Sequence, residues 1–364
     1  MPLDKRTAGD PPSTVREADA NAAVLAKRHA LRKAMLSLHA RIRSRTQLFN
    51  CFLDEQPTEP VPAAALKRLH AAIDETKLIV NPSFQVRPLD NPPGEVARRA
   101  FPLGGFLGGY PIAWVKDPGP DLWVPFWARG DWIDTVQSLR ACDPAPSTLG
   151  SNARRVLALA TILVPKGFRE SRTKQWASIC DTARAQFRTR GYAIVRDLLH
   201  PFQLGAMRRY YRELVASGGV PLGDFQVAER YQLGNEVLAS FYHSQLADLV
   251  GRIAAEPVKS SYVYLASYLP GAELQRHTDR EQCEFSISLQ VDYAPEPDGP
   301  CGWPLFLENP GELGVTHSAD LGIGDVVIYR GRELVHYRNR LPEAHHSTSL
   351  FLHYVRENFA GNLW

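Results

Sequence analysis

The 364-residue sequence predicts an α+β protein, in which a helical and then aromatic-rich N-terminal region precedes a strand-rich half built as a sandwich or jelly-roll barrel. Three observations carry that reading. Residues 17–52 hold no glycine or proline, and Leu31, Met35, Leu38 and Ile42 fall at spacings of four, three and four, the apolar stripe of an amphipathic helix. Residues 81–150 change texture to proline, glycine and aromatic side chains. From Ser261 onward, short β-prone runs alternate with turn signals at Pro270-Gly271, Pro295–Pro300, Pro310-Gly311 and Gly322–Gly324.

Residues 1–18, with Pro2, Pro11 and Pro12, read as a disordered lead-in. The helix that follows carries seven basic residues between Val24 and Asn50 (Lys27, Arg28, Arg32, Lys33, Arg41, Arg43 and Arg45) and no acid, so an anionic partner was weighed against a solvated face. The solvated face is preferred, because the apolar stripe already gives the helix something to dock. Pro57–Pro62 is a linker, and Ala63–Thr76 reads as a second helix. The glycine pairs of Gly104-Gly105-Phe106-Leu107-Gly108-Gly109 lack a following Lys-Ser/Thr, so they read as tight turns and not a phosphate loop. Trp114, Trp123, Trp127 and Trp132 read as a structural mini-core, with an apolar substrate groove as the alternative. Cys142–Ser147 is the expected boundary, dividing residues 19–150 from a second region at 151–364.

In that second region Ser171–Arg190 reads as a helix, and a strand begins at Gly191. A further helix runs from Pro201, suited to a first helical position, to Val215, where Ser217-Gly218-Gly219 stops it. Phe241–Ala255 is the last expected helix. The expected strands are Ser261–Tyr268, Phe285–Tyr293, Pro304–Leu307, Asp325–Tyr329 and Ser347–Val355.

Bulk properties narrow the function. A composition 44% hydrophobic and 22% charged is that of a folded chain, and a net charge of +3 is too small to argue for nucleic acid. Five scattered cysteines without a CxxC pair indicate neither a disulfide framework nor a thiolate zinc site, which favours a reducing compartment. The polar first 19 residues lack a signal peptide's apolar core, and no run approaches a membrane span, so the expected location is cytoplasmic, with no membrane partner.

The candidate chemistry sits at His277, Asp279 and His336. On a strand, residues two apart point to one face, so His277 and Asp279 can aim at a common point. His336, 59 residues further along, can complete two imidazoles and one carboxylate on one side of a metal. Such a set suits non-haem Fe(II) with its other positions open. Arg276 and Arg280 are expected to face away from the metal by alternation, at the barrel rim, in salt bridges, or paired with Glu281 or Glu284.

Tyr268-x-x-Gly271-x-x-Leu274-x-x-His277-x-Asp279, with Gly324–Tyr329, His336 and Ser349–Tyr354, resembles the Fe(II)- and 2-oxoglutarate-dependent dioxygenases, particularly the prolyl-4-hydroxylase-like branch. The likeness covers about residues 185–357. It implies a double-stranded β-helix, a cupin-like fold, in which His277, Asp279 and His336 hold Fe(II) and Tyr268 meets the 2-oxoglutarate carboxylate. It also implies a reaction with O₂ that hydroxylates a C–H bond of a small molecule or of a peptide or protein side chain. The chain departs from the pattern where the family places an Arg or Lys for the far carboxylate of 2-oxoglutarate, since that place falls on His346. Three readings are open. His346 binds the cosubstrate with help from Thr348; Arg340 or Arg338 supplies the charge; or 2-oxoglutarate is not used. The last leaves two rivals, an inactive binding or scaffold protein on the same barrel and a cupin-type metal dioxygenase. Whether the chain forms a homo-oligomer is open.

Overall fold

The computed structural model describes residues 49–55, 61–71, 77–88, 91–94, 110–312 and 314–363. The expected lead-in, the basic helix at 27–45 and the glycine pairs at 104–109 lie outside the described residues. The predicted helix was drawn through Phe52, yet residues 49–52 are not helical, because Phe52 bridges Trp127 and the Trp127 amide donates to the Cys51 carbonyl. Leu48–Trp364 form one compact unit.

The strands, in chain order, begin with β1 (Leu78–Val80), β2 (Gln85–Arg87), β3 (Ile112–Asp117), β4 (Leu122–Trp127) and β5 (Leu163–Pro165). They continue with β6 (Tyr192–Val195), β7 (Arg230–Gly234), β8 (Val258–Tyr268), β9 (Leu274–His277) and β10 (Phe285–Ala294). The last are β11 (Leu305–Glu308), β12 (Thr316–Ala319), β13 (Val326–Tyr329), β14 (Val335–Arg338) and β15 (His346–Arg356). β2, β3 and β4 form a three-stranded sheet, and the buried Trp114 and Trp127 pack inside it and against Phe241 and Phe49. Trp114 and Trp127 are thus core residues, whereas Trp123 and Trp132 stay half-buried.

The expected seam near residue 150 is crossed. β1 pairs with β5, and Val80 exchanges backbone hydrogen bonds with Cys142 and Asp143, so chain from both sides of the boundary shares one sheet.

Two antiparallel sheets position the site. One has six strands in the order β6-β13-β10-β15-β8-β7, the other four in the order β12-β11-β14-β9. From β8 to β15 the chain passes back and forth between them. Their faces meet, since Tyr268 of the larger sheet lies 5.0 Å from the Trp303 ring beside the smaller one, and Tyr329 lies 4.9 Å from His336.

The central strand β10 shows why the larger sheet sits this way. Phe285, Ile287 and Leu289 alternate with Ser286, Ser288 and Gln290, all six buried, until a register shift after Gln290 turns Asp292 toward Arg208 and Arg212 of the helix Pro201–Ala216. The apolar face packs on helices, with Phe285 6.2 Å from Phe187 of the helix Phe168–Arg190. The polar face turns toward the smaller sheet. A buried face of serines and glutamine is costly as mere packing, so the space between the sheets is built for polar contact.

The helices follow local signals. Gly191, at φ +75°, ends Phe168–Arg190 in the left-handed conformation that glycine tolerates best, and hands the chain to β6. Pro201 opens Pro201–Ala216 where its missing N–H costs nothing. The last helix starts four residues before the predicted Phe241, at Val237, because Glu236 caps it by accepting from the Leu238 and Ala239 amides. β7 and β12 escaped the sequence reading, being short and polar without an apolar alternation. No described helix is long and apolar enough to cross a membrane, and all five cysteines are free thiols.

Candidate metal centre

β9 and β14 are neighbours in the smaller sheet, with His277 and His336 directly opposite one another. Cross-strand partners share a face, so both imidazoles stand between the sheets, ring centroids 4.3 Å apart. Asp279 follows just after β9. Its amide donates to the Gly331 carbonyl at 2.8 Å, which anchors the backbone, and Ser286 Oγ of β10 donates to its Oδ2 at 3.0 Å. Asp279 Oδ1 is left 3.5 Å from His336 Nε2 and 3.8 Å from His277 Nε2. Ligands held about 2.1 Å from one ion at right angles lie about 3 Å apart, so small adjustments would close the set.

The second ring nitrogens both meet carbonyls. His277 Nδ1 meets the Gln275 carbonyl at 2.8 Å, and His336 Nδ1 meets the Leu334 carbonyl at 3.0 Å. A carbonyl only accepts, so each Nδ1 carries a proton, and each Nε2 is the ring nitrogen turned toward Asp279. Burial, and then the neighbouring His336, lowers the His277 pKa and keeps it neutral. Burial alone would raise Asp279, but His336 beside it outweighs that and holds the carboxylate low. His277 and Asp279 are thus shifted toward the neutral imidazole and the carboxylate that a metal takes.

Space around the ligands is tight on one side. A Cβ on Gly331 would lie 2.4 Å from Asp279 Oδ2 and 2.5 Å from the Cys283 carbonyl, so only glycine allows the carboxylate its place. A second group, Asp279, Cys283 and His353, is also close enough to share an ion. Its members are otherwise engaged, however: Cys283 meets the Tyr262 hydroxyl at 3.1 Å, and His353 meets Ser286 Oγ at 2.9 Å. Burial pushes that thiol up to about 12 and that imidazole down to about 4, the neutral forms.

On the open side lies a cavity of about 390 Å³ lined by Tyr262, Tyr264, Phe351 and Arg280 as well as the ligands, with Phe225, 87% exposed, at its mouth. Arg280 was expected to face away with Arg276. Alternation lapses once β9 ends at His277, so Arg280 lines the cavity over the Tyr262 ring at 5.5 Å, while Arg276 pairs with Glu308 outside.

The other residues singled out in the sequence separate. Tyr268 is fully buried, and its hydroxyl accepts from Arg230 at 3.3 Å on the cavity wall. His346 is exposed at the start of β15. Thr348 Oγ1 bonds Ser267 Oγ at 2.9 Å, on the strand face opposite to Ser349. Arg340 has a side chain 70% exposed and pairs with Glu343. Arg338, two residues past His336, is instead buried. Its Nη1 donates to the Trp303 carbonyl, its guanidinium lies 4.6 Å over the Trp303 ring, and its Nε and Nη2 have no hydrogen-bond partner among the described residues. Ser286 and Gly331 were missed by the sequence reading; the polar alternation of β10 could have pointed to the first.

No family model matches the chain, and no curated protein matches it. Among solved structures it is similar to a prolyl-4-hydroxylase from Pseudomonas putida, at 17% identity over 49% of this chain and 100% of that one, with a TM-score of 0.41. It is similar also to a prolyl hydroxylase from Trichoplax adhaerens in complex with a hypoxia inducible factor peptide fragment, at 14% identity over 50% and 92% of the two chains, TM-score 0.42. A third is HygX from Streptomyces hygroscopicus, with nickel, 2-oxoglutarate and hygromycin B bound, at 11% identity over 50% and 89%, TM-score 0.39.

Proposed function

We propose that this chain is an Fe(II)- and 2-oxoglutarate-dependent dioxygenase of the prolyl-4-hydroxylase-like branch, hydroxylating a C–H bond of a small molecule or of a peptide or protein side chain. The convergence of His277, Asp279 and His336 on one point between the sheets carries the reading. Two imidazoles and one carboxylate on a single face suit Fe(II) and leave the facing positions open. The passage of successive strands between two antiparallel sheets fits a double-stranded β-helix, cupin-like in its layout. When bound, iron and 2-oxoglutarate with O₂ supply C–H hydroxylation, one oxygen atom entering the product and the other the succinate formed as CO₂ leaves.

The chain's own residues prepare that chemistry. His277 and His336 present Nε2 because their Nδ1 protons are spent on carbonyls. Asp279 adds one negative charge, held in line by Ser286 and by the Gly331 backbone. Because that carboxylate fills the third protein position, no place is left there for a halide, which favours hydroxylation over halogenation. Tyr262, Tyr264 and Phe351 wall the cavity against water, and Phe225 offers an apolar contact at its mouth.

The test is succinate formation by the purified full chain. It should require Fe(II), 2-oxoglutarate and O₂, and vanish in Asp279→Ala, which should also lose Co(II) binding read from its visible spectrum. Co(II) binding without any succinate would favour a binding or scaffold protein. O₂ uptake without 2-oxoglutarate would favour a cupin-type dioxygenase.

A further inference from the structure

The fully buried arginines divide into two kinds. Arg208, 1% exposed, is met by Asp292 and Glu296, each at 2.8 Å, and Arg230, 3% exposed, is met by Asp224. Arg338, 2% exposed, makes no ion pair among the described residues, Asp320 acting on it only at longer range. A cation taken out of water is costly unless an anion accompanies it. The unpartnered Nε and Nη2 form one edge of the guanidinium, the edge that grips a carboxylate with two parallel hydrogen bonds. Trp303 holds the other side through its carbonyl and its ring.

Arg338 shares a strand face with His336, about 7 Å along β14 from it, so its charge stands between the sheets beside the metal ligands. The facing sheet answers. Ser288 Oγ and Ser349 Oγ are buried without partners, on the strand faces that carry Ser286 and His353 toward Asp279. Six buried side-chain atoms have no hydrogen-bond partner among the described residues, and four of them belong to Arg338, Ser288 and Ser349. Tyr268 closes the group through its ring contact with Trp303.

We infer that Arg338 binds the far carboxylate of a dicarboxylate whose oxo-acid end faces the metal, with Ser288 and Ser349 as further hydrogen-bonding groups of the same pocket. The inference rests on the oxygenase reading above and names its missing cosubstrate anchor. His346 and Arg340 cannot serve, being exposed to solvent, and Arg230 is already neutralised by Asp224. The charge expected on the closing strand β15 thus comes from β14, the strand of the distal metal ligand. The pocket selects a five-carbon oxo diacid over a monocarboxylate such as pyruvate, which leaves the guanidinium unpaired.

The test is calorimetric titration of 2-oxoglutarate and pyruvate into the Mn(II)-loaded full chain without O₂, for the wild type and for Arg338→Met, Arg338→Lys, Ser349→Val and His346→Ala. Arg338→Met should weaken 2-oxoglutarate binding about 100-fold or more and Arg338→Lys about 10-fold, while Mn(II) and pyruvate affinities hold within about twofold. His346→Ala should change nothing. Equal 2-oxoglutarate affinity in wild type and Arg338→Met, or its loss in His346→Ala, overturns the assignment and leaves the oxygenase reading standing. A wild type that binds Mn(II) but no 2-oxoglutarate overturns both. If Arg338→Met does not fold, the wild type decides by its pH profile at saturating Mn(II). Affinity flat between about pH 6 and 8 supports the permanently charged arginine; affinity rising as pH falls through about 6.5 points to histidine and overturns it.

Discussion

Two neighbourhoods of the molecule each bury an arginine, and they solve the problem differently. Under the helix Pro201–Ala216, Arg208 and Arg212 share Asp292, with Glu296 closing the cluster at 2.8 Å from Arg208. Every charge there has its partner within the chain, and the cluster ties the helix to the end of β10. Between the sheets, Arg338 is stacked and held but left without an ion pair, next to the proposed metal triad and two unpaired hydroxyls. The first arrangement is structural. The second is what a ligand site looks like before its ligand is counted. A buried charge therefore reports on function only when the search for its counter-ion fails.

The contrast is sharpest under matched truncation. Arg208→Met should cost about 1–3 kcal/mol of stability, because Asp292 then keeps Arg212 as its ion-pair partner, whereas Arg338→Met should be neutral or stabilising, with urea denaturation of the metal-free proteins as the measure. A comparable loss in both would erase the distinction. Next in size is the ligand's own effect. At about 100 times its dissociation constant, 2-oxoglutarate should stabilise the Mn(II)-loaded wild type by about 2.7 kcal/mol, and the Arg338→Met variant hardly at all, in the same denaturation assay. Gly331→Ala should weaken Mn(II) binding about 10- to 100-fold by crowding Asp279, while leaving the Arg208 cluster and the fold unchanged by circular dichroism. An unaffected Mn(II) titration would show that the Asp279 position is not held as tightly as its contacts imply.

The smallest effect separates structural from ligand-binding histidines. His243 is buried against Tyr354 and bonds the His353 carbonyl at 2.7 Å, and burial lowers its pKa to about 3. Unfolded, it takes a proton below about pH 6.5, which the folded form refuses. Its contribution to stability is therefore full above that pH and declines as pH falls toward 3, by about 1.4 kcal/mol per pH unit. His243→Gln, which keeps a donor and cannot titrate, should flatten the pH dependence of the denaturation midpoint between about pH 6.5 and 4.5.

The proposed ligand pair was legible because period-two geometry needs no tertiary knowledge: residues two apart in extended chain, like His277 and Asp279, can aim at one point. The long β-prone runs of β8, β10 and β15 were legible for the same local reason, as were the two helices, one ended by Gly191 and the other opened by Pro201. What escaped depends on partners far along the chain. Arg280 was misplaced because the strand stops at His277, and the end of a strand is set by its neighbours. β7 and β12 pair through short polar segments that carry no pattern of their own. His346 stood at the expected position in the sequence, but only the burial of Arg338 against Trp303 shows which cation faces inward. Gly331 is required by a contact with Asp279 from 52 positions earlier (331 − 279), which no local rule could reveal.

The direct opposition of His277 and His336 across β9 and β14 has one more outcome. A slip of one residue between those strands would carry one imidazole to the outer surface, so a bound divalent ion acts as a pin that locks their alignment. Refolding without metal should then be the condition under which the smaller sheet mispairs, and adding the ion early should rescue it.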